Sequence, residues 1–267
     1  MIKLFRRLLL IFTLLGISLL TDALYEPHTL EIKYYNISNK ELSGIKIAFA
    51  ADFHLAPNDT ARLQKIISAL NQQQPDIIIL GGDYVKGHKR SSAMPARQIA
   101  SMLTRLHAPY GIYAVLGNHD VWYGKTTITD ALQKQNITVL DNENRHINIK
   151  NKELSIIGIS DKATDKPDFV KAFQNATAPA VLITHSPDTF PESPKTALTL
   201  AAHTHGGQIR LPLLGAPVVN SAYGQRYNLG LISENDKMMI VTKGLGTSIL
   251  PLRFNCRPEI VIISFND

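Results

Sequence analysis

The sequence predicts an α/β protein rich in strands. Through the first half of the chain, short apolar runs with β-branched residues alternate with stretches whose apolar residues recur at helical spacing. Five of the apolar runs end in Asp, Asn or His, and the carboxyl ends of strands are where open α/β folds bind ligands. The 267 residues suffice for one large domain or two small ones, and 45% hydrophobic content supports a sizeable core. With no linker inside it, the chain reads as one catalytic domain over residues 25–267, preceded by an N-terminal segment over residues 1–23.

That segment opens with Lys3, Arg6 and Arg7 and continues as an apolar run from Leu8 to Leu20, broken by Thr13, Gly16 and Ser18. This is the layout of a secretory signal or a signal anchor. Thr21-Asp22-Ala23 makes a poor cleavage site, which favours an uncleaved anchor over a removed signal. The basic flank would stay in the cytoplasm. The expectation is therefore a bacterial inner-membrane protein with its catalytic domain on the outer, periplasmic side. The run is short for a span, which needs about 20 apolar residues, so a short first helix is the competing reading.

Beyond it, His28–Ile37 alternates apolar and polar residues and reads as a strand, and Leu42–Ala51 reads as a strand buried on both faces. Leu63, Ile66, Ile67 and Leu70 mark a helix over 60–70. Asp76–Leu80 is a second buried strand, a helix runs over 95–106, and Tyr110–Leu116 is a third strand. A helix over 126–135 precedes strands at 136–140, 145–149 and 154–159. A short helix at 168–176, strands at 180–184 and around ALTL, and final strands at 238–242 and 259–264 complete the chain.

Composition excludes some functions. The formal net charge is +6, and +4 remains once Lys3, Arg6, Arg7 and Asp22 are set aside. That mild basicity suits an anionic substrate or membrane surface, and no nucleic acid is expected as a partner. The single cysteine, Cys256, makes no internal disulfide and reads as a small buried hydrophobe.

The chemistry lies at the strand ends: Asp52 and His54, Asp83, Asn118 and His119, His185, then His203 and His205. One such residue could be a helix cap or a turn residue; five in series are hard to read that way. His203 and His205, two apart on an extended segment, would point to one side with Thr204 pointing away. Two Asp, one Asn and four His suffice for two divalent ions sharing one carboxylate. Mixed oxygen and nitrogen ligation without thiolate points to Mn, Fe or Zn. The basic residues Lys86, Lys89 and Arg90, after Asp83, are candidates for binding an anionic substrate.

The ordered series D-x-H, G-D, G-N-H-D, H and H-x-H resembles the calcineurin-like metallophosphoesterases from about residue 45 to the end of the chain. HTHGGQIRLP and GLGTSILPLRFNCRPEI further resemble a bacterial subgroup of membrane-associated phosphodiesterases. The resemblance implies a four-layer α-β-β-α sandwich of two mixed sheets. It implies that Asp52, His54 and His205 hold one metal, that Asn118, His185 and His203 hold the second, and that Asp83 bridges them. His119 is then the non-ligand histidine that contacts the phosphate and protonates the leaving oxygen, with Asp120 orienting it by a hydrogen bond. The implied reaction is in-line attack on phosphorus by a hydroxide bridging the metals.

Two departures stand out: Ala202 where the family writes Gly before the His pair, and the aromatic Phe53, which should point away from the metals. The expected activity is a phosphodiesterase acting as a monomer on a phosphoester, including a lipid-linked one. A hydrolase resembling the UDP-2,3-diacylglucosamine pyrophosphatases and a phosphomonoesterase are the alternatives. A non-catalytic scaffold would have lost ligands, and none is missing.

Overall fold

The computed structural model describes residues 1–87 and 90–267. Helix α1 (Ile2–Tyr25) stands clear of the rest, with Ala23 its only buried residue. Pro27, with its fixed φ, lies in the 3₁₀ turn Glu26–His28, so the first strand starts later than the alternation suggests. The first sheet then collects β1 (Glu31–Ser38), β2 (Lys46–Ala50), β3 (Ile77–Leu80), β4 (Ile112–Ala114), β5 (Thr138–Val139) and β12 (Glu259–Asn266), in the order β1-β12-β2-β3-β4-β5. The second collects β6 (Glu143–Ile149), β7 (Lys152–Gly158), β8 (Ala180–Ile183), β9 (Leu198–Ala201), β10 (Gly230–Glu234) and β11 (Lys237–Val241), in the order β10-β11-β9-β8-β7-β6. Both are mixed: β12 is parallel to β1 and antiparallel to β2, while β6 and β10 run antiparallel to their neighbours.

The two sheets face each other across one apolar core. On β2, Ile47 and Phe49 point into this interface with Ile77 and Ile79 of β3, against Val181, Ile183, Leu198 and Leu200 of the second sheet. The alternate residues Ala48 and Ala50 pack outward beneath the helices α2 (Thr60–Gln72), α3 (Ala96–Leu103) and α4 (Asn118–Gln133). The run over 46–50 is thus buried on both faces, as its composition requires. The outer layer on the second sheet is thinner. Helix α5 (Phe169–Ala172) covers Ile157, Ile159 and Leu182, and the 3₁₀ segment Pro187–Glu192 brings Phe190 against Tyr227 and Met239. This is the expected sandwich of two mixed sheets between helical layers.

Two differences from the sequence reading have physical causes. Helix α4 begins at Asn118, not near Thr126, because the Asp120 carboxylate accepts the Gly117 N–H at 3.0 Å and closes the first turn. Gly124, at φ 140°, then breaks the helix in two, and the break masked its start. Strand β10 went unrecognised because it alternates weakly. It is held by a hairpin whose turn residues, Asn235 and Asp236, both adopt positive φ.

The parallel register Ala50↔Leu80 and Leu80↔Ala114 ends β2, β3 and β4 at one level, and Ile183↔Leu200 does the same for β8 and β9. Leu200→Ala opens a void in the core between the sheets and should cost about 2–5 kcal/mol in a urea titration. Val170→Ala, at an exposed position of α5, should stay within about 0.5 kcal/mol.

Candidate metal centre

The ends of those five strands converge. Three groups of side chains bring their potential ligand atoms within 4.8 Å of one another: Asp52, His54 and His205; Asp83, His185 and His203; and His54, Asp83 and His119. Nε2 of His54 lies 2.9 Å from Nε2 of His205 and 3.5 Å from Asp83 Oδ2. Nε2 of His185 lies 3.2 Å from Nδ1 of His203, 3.4 Å from Asp83 Oδ2 and 4.0 Å from Asp52 Oδ1. Asp83 therefore stands between two sets of imidazoles. Asn118, also buried, has an amide oxygen with no hydrogen-bond partner among the described residues.

The backbone is bent to make this possible. Asp52, His54, Asp83, His203 and His205 all have positive φ, between 42° and 70°. Such conformations cost a non-glycine residue about 1–3 kcal/mol each and persist where the surrounding structure dictates them. His203 and His205 accordingly do not lie on an extended segment. They sit in a tight turn, and Thr204 faces away from the cluster because its hydroxyl donates to the Asn228 carbonyl at 2.6 Å. Glycines make room for it. A Cβ on Gly117 would lie 2.2 Å from Asp83 Oδ1 and 2.6 Å from His185 Cε1, and one on Gly244 would lie 2.5 Å from Asp52 Oδ2.

Electrostatics leaves most of the imidazoles neutral. Burial pushes His54 down to about 3, His203 down to about 4, and His205 well below the usual histidine range. Burial also opposes a charge on His185, but the Asp83 and Asp52 carboxylates outweigh it and hold its proton. Burial alone would raise Asp83, yet the neighbouring His185 and His54 keep it below the carboxylate range. Burial pushes Asp52 up to about 7. Neutral imidazoles gathered around buried carboxylates are the form a divalent cation needs, so the donor set fits two such ions with Asp83 shared.

Surrounding groups fix the side chains of the cluster. Nδ1 of His185 bonds the Gly81 carbonyl at 2.8 Å, leaving Nε2 to face Asp83. The Asn220 amide lies 2.8 Å from Nε2 of His203. Arg253 is fully buried beneath His205, 3.4 Å from Nδ1, and donates to the carbonyls of Lys243, Gly244, Gly246 and Cys256. Sequence reasoning missed Gly81, Asn220 and Arg253, since carbonyl, amide and guanidinium contacts of this kind leave no spacing pattern. It also missed Trp122, whose half-exposed ring lies 5.1 Å from that of His119. The aromatic pair Trp122-Tyr123, one residue past G-N-H-D, was the one available signal.

Asp120 serves the backbone. Its carboxylate accepts the N–H groups of Asp83, Tyr84 and Gly117 at 2.7, 2.9 and 3.0 Å, and no described bond joins it to the His119 ring. It thus welds the ends of β3 and β4 together and holds Asp83 in place. Among the described contacts, the His119 N–H donates to Asp83 Oδ1 at 2.8 Å, and its ring meets His54 edge-on at 4.5 Å. Phe53 points away from the cluster and stacks on Tyr84 at 5.6 Å. Ala202 is buried in the core between the sheets and is not among the positive-φ residues, so its methyl group is accommodated. Of the basic candidates, exposed Arg90 lies over the Tyr123 ring at 5.3 Å, and Lys86 bonds the Leu55 carbonyl through its backbone. Neither makes a described contact with the cluster. Lys89, with His88 before it, lies outside the described residues.

The family model of the calcineurin-like phosphoesterases matches residues 45–208, the span from β2 through the His pair. This chain is a calcineurin-like phosphoesterase. As a member, it is a hydrolase of phosphoester bonds that uses two divalent metal ions. It is 33% identical over 224 residues to the phosphodiesterase YaeI of Escherichia coli, covering 82% of this chain and 81% of the relative. It is 29% identical over 250 residues to an uncharacterized metallophosphoesterase, YkuE, of Bacillus subtilis, covering 90% and 86%. Among solved structures, a 5'-nucleotidase precursor from Thermus thermophilus shares the fold, with a TM-score of 0.50 at 13% identity over 75% of this chain and 49% of that one.

Two outcomes follow for this calcineurin-like phosphoesterase. Gly117→Ala should drive Asp83 and His185 apart, and elemental analysis should find less than the wild-type metal content per chain. Chelation should lower the melting temperature, and Mn²⁺ at about 100 times its dissociation constant should restore about 2.7 kcal/mol.

Proposed function

We propose that this chain is a membrane-anchored phosphodiesterase. The observation that carries the catalytic reading is Asp83, a buried carboxylate flanked on one side by His54 and on the other by His185. In this reading Asp52, His54 and His205 hold one ion, Asn118, His185 and His203 hold the other, and Asp83 joins both. Two ions so held supply Lewis-acid polarisation of the phosphoryl oxygens and a water acidic enough to attack at neutral pH. His119, fixed through its backbone to Asp83, gives a proton to the departing oxygen. Trp122 beside it shields that proton transfer from solvent on one flank. Lys86 and Arg90 remain candidates for attracting the anionic substrate from outside the cluster. The name of the YaeI relative supports a diester over a monoester substrate.

Helix α1 supports the anchor. It is the one helix among the described residues that is long and apolar enough to cross a membrane. Its 24 residues correspond to about 36 Å, against a hydrocarbon core of about 30 Å. Lys3, Arg6 and Arg7 at its start favour a cytoplasmic N-terminus and a catalytic domain on the outer side of a bacterial inner membrane. Its last turn is built into the domain, since the Arg253 N–H donates to the Ala23 carbonyl at 3.0 Å and Glu26 accepts the N–H groups of Asn255 and Cys256. That tie favours a retained anchor over a removed signal.

The test is hydrolysis of an aryl phosphodiester and an aryl phosphomonoester by the purified chain, after chelation and after Mn²⁺ is returned. Metal-dependent cleavage that prefers the diester and disappears in Asp83→Ala is expected; a preference for the monoester would overturn the diester reading. His119→Ala should keep its metal content while losing about 10²–10⁴-fold in kcat.

A further inference from the structure

Beside His203 and His205 the surface is apolar. A cleft of about 500 Å³ runs from these two imidazoles along Gln208, Ile209 and Pro217 to Val218, Ile249 and Leu250. Its lining and the adjoining turn over 211–215 form a rim of side chains that the fold leaves in water. Leu213 is 106% exposed, Ile249 92%, Val218 77% and Leu214 72%, with Leu211 and Leu250 also exposed. Single exposed apolar residues are ordinary, but Val218, Ile249 and Leu250 line the cleft itself and Leu211, Leu213 and Leu214 lie in the turn joining its lining residues Ile209 and Pro217, a grouping of the kind that marks an interaction surface.

The two loops that carry the rim are held by specific bonds. Ile209 bridges Phe254, and Gln208 donates to the carbonyls of Leu250 and Leu252 at 3.1 and 3.2 Å while accepting the Ser248 N–H at 2.6 Å. The Leu211↔Gly215 bridge closes the turn that thrusts out Leu213 and Leu214. These loops present their apolar side chains as a built surface.

The position of the rim says what covers it. The segment that carries Ile249 and Leu250 continues into Arg253, whose N–H bonds the last turn of α1, and into Asn255 and Cys256, whose N–H groups bond Glu26. Tyr25, exposed at the end of α1, is the residue type that settles at a membrane–water interface. The helix therefore leaves the bilayer within a few residues of the rim. We infer that the rim Leu211, Leu213, Leu214, Val218, Ile249 and Leu250 rests in the lipid surface of the same bilayer that holds α1. The mouth beside His203 and His205 then faces the lipid phase, and a substrate whose apolar part lies among the acyl chains reaches the cluster along the cleft. This inference rests on α1 being a membrane helix.

The test uses the full chain reconstituted into phosphatidylethanolamine–phosphatidylglycerol vesicles. Spin labels are placed one at a time through Leu213→Cys, Ile249→Cys, Leu15→Cys and Asn235→Cys; native Cys256 is buried and should not label. Asn235, in the β10–β11 turn, lies at the end of the second sheet opposite His203 and serves as the aqueous reference. Power saturation compares collisions with oxygen, which concentrates in lipid, against those with a water-soluble nickel chelate. Labels at 15, 213 and 249 should all favour oxygen, while the label at 235 favours nickel. If 213 and 249 match 235 while 15 favours oxygen, the rim inference fails and the anchor survives. If 15 also matches 235, the anchor reading fails and takes the inference with it. Labels at 213 and 249 that are shielded from both reagents would mean that a protein partner covers the rim, which also overturns the proposal.

Discussion

The architecture depends on burying one negative charge at the meeting point of two sheets. Among the described residues, no lysine or arginine pairs with Asp83; its compensation is His185 and His54, with the N–H of His119. An unpaired buried carboxylate is among the most expensive things a fold can contain. The strand ends, the left-handed turns and the glycines beside it are arranged to surround that charge with donors. Asp120 is another buried carboxylate, pushed up to about 7 by burial, and its three backbone bonds tie the β3 and β4 loops to each other. Removing the shared centre would leave each half of this arrangement without its counterpart.

Much of this was legible in the chain. The apolar runs in Lys46–Ala50 and Ile77–Leu80 encode strands buried on both faces, and such strands occur in parallel sheets whose carboxyl ends carry sites. The Asp, Asn and His residues of the cluster were legible because each follows such a run closely. What stayed hidden depends on contacts between residues distant in sequence. Asp120 sits next to His119, so proximity suggested a partner, but the backbone it serves belongs to another strand. The α4 break at Gly124 and the short β10 hairpin carry weak periodicity. Arg253 shows no pattern because its partners are carbonyl oxygens, which every residue has.

Arg253 joins two parts of the molecule that chemistry alone would keep apart. Its side chain gathers the carbonyls of the loop beneath His205, and its backbone caps the last turn of α1. The floor of the catalytic cluster and the base of the apolar helix are therefore one hydrogen-bonded unit.

The placement of β12 has a consequence for how the chain is made. This last strand lies between β1 and β2, paired along its whole length with β1 from Glu31↔Glu259 to Ser38↔Asn266. The strand that follows the apolar helix thus has no neighbour in its sheet until the far end of the domain has been synthesised. Contacts of such long sequence separation form slowly because the loop must close before they contribute. During translation β1 stays an open edge beside its helix, and the ribosome must release residue 266 before the first sheet can close.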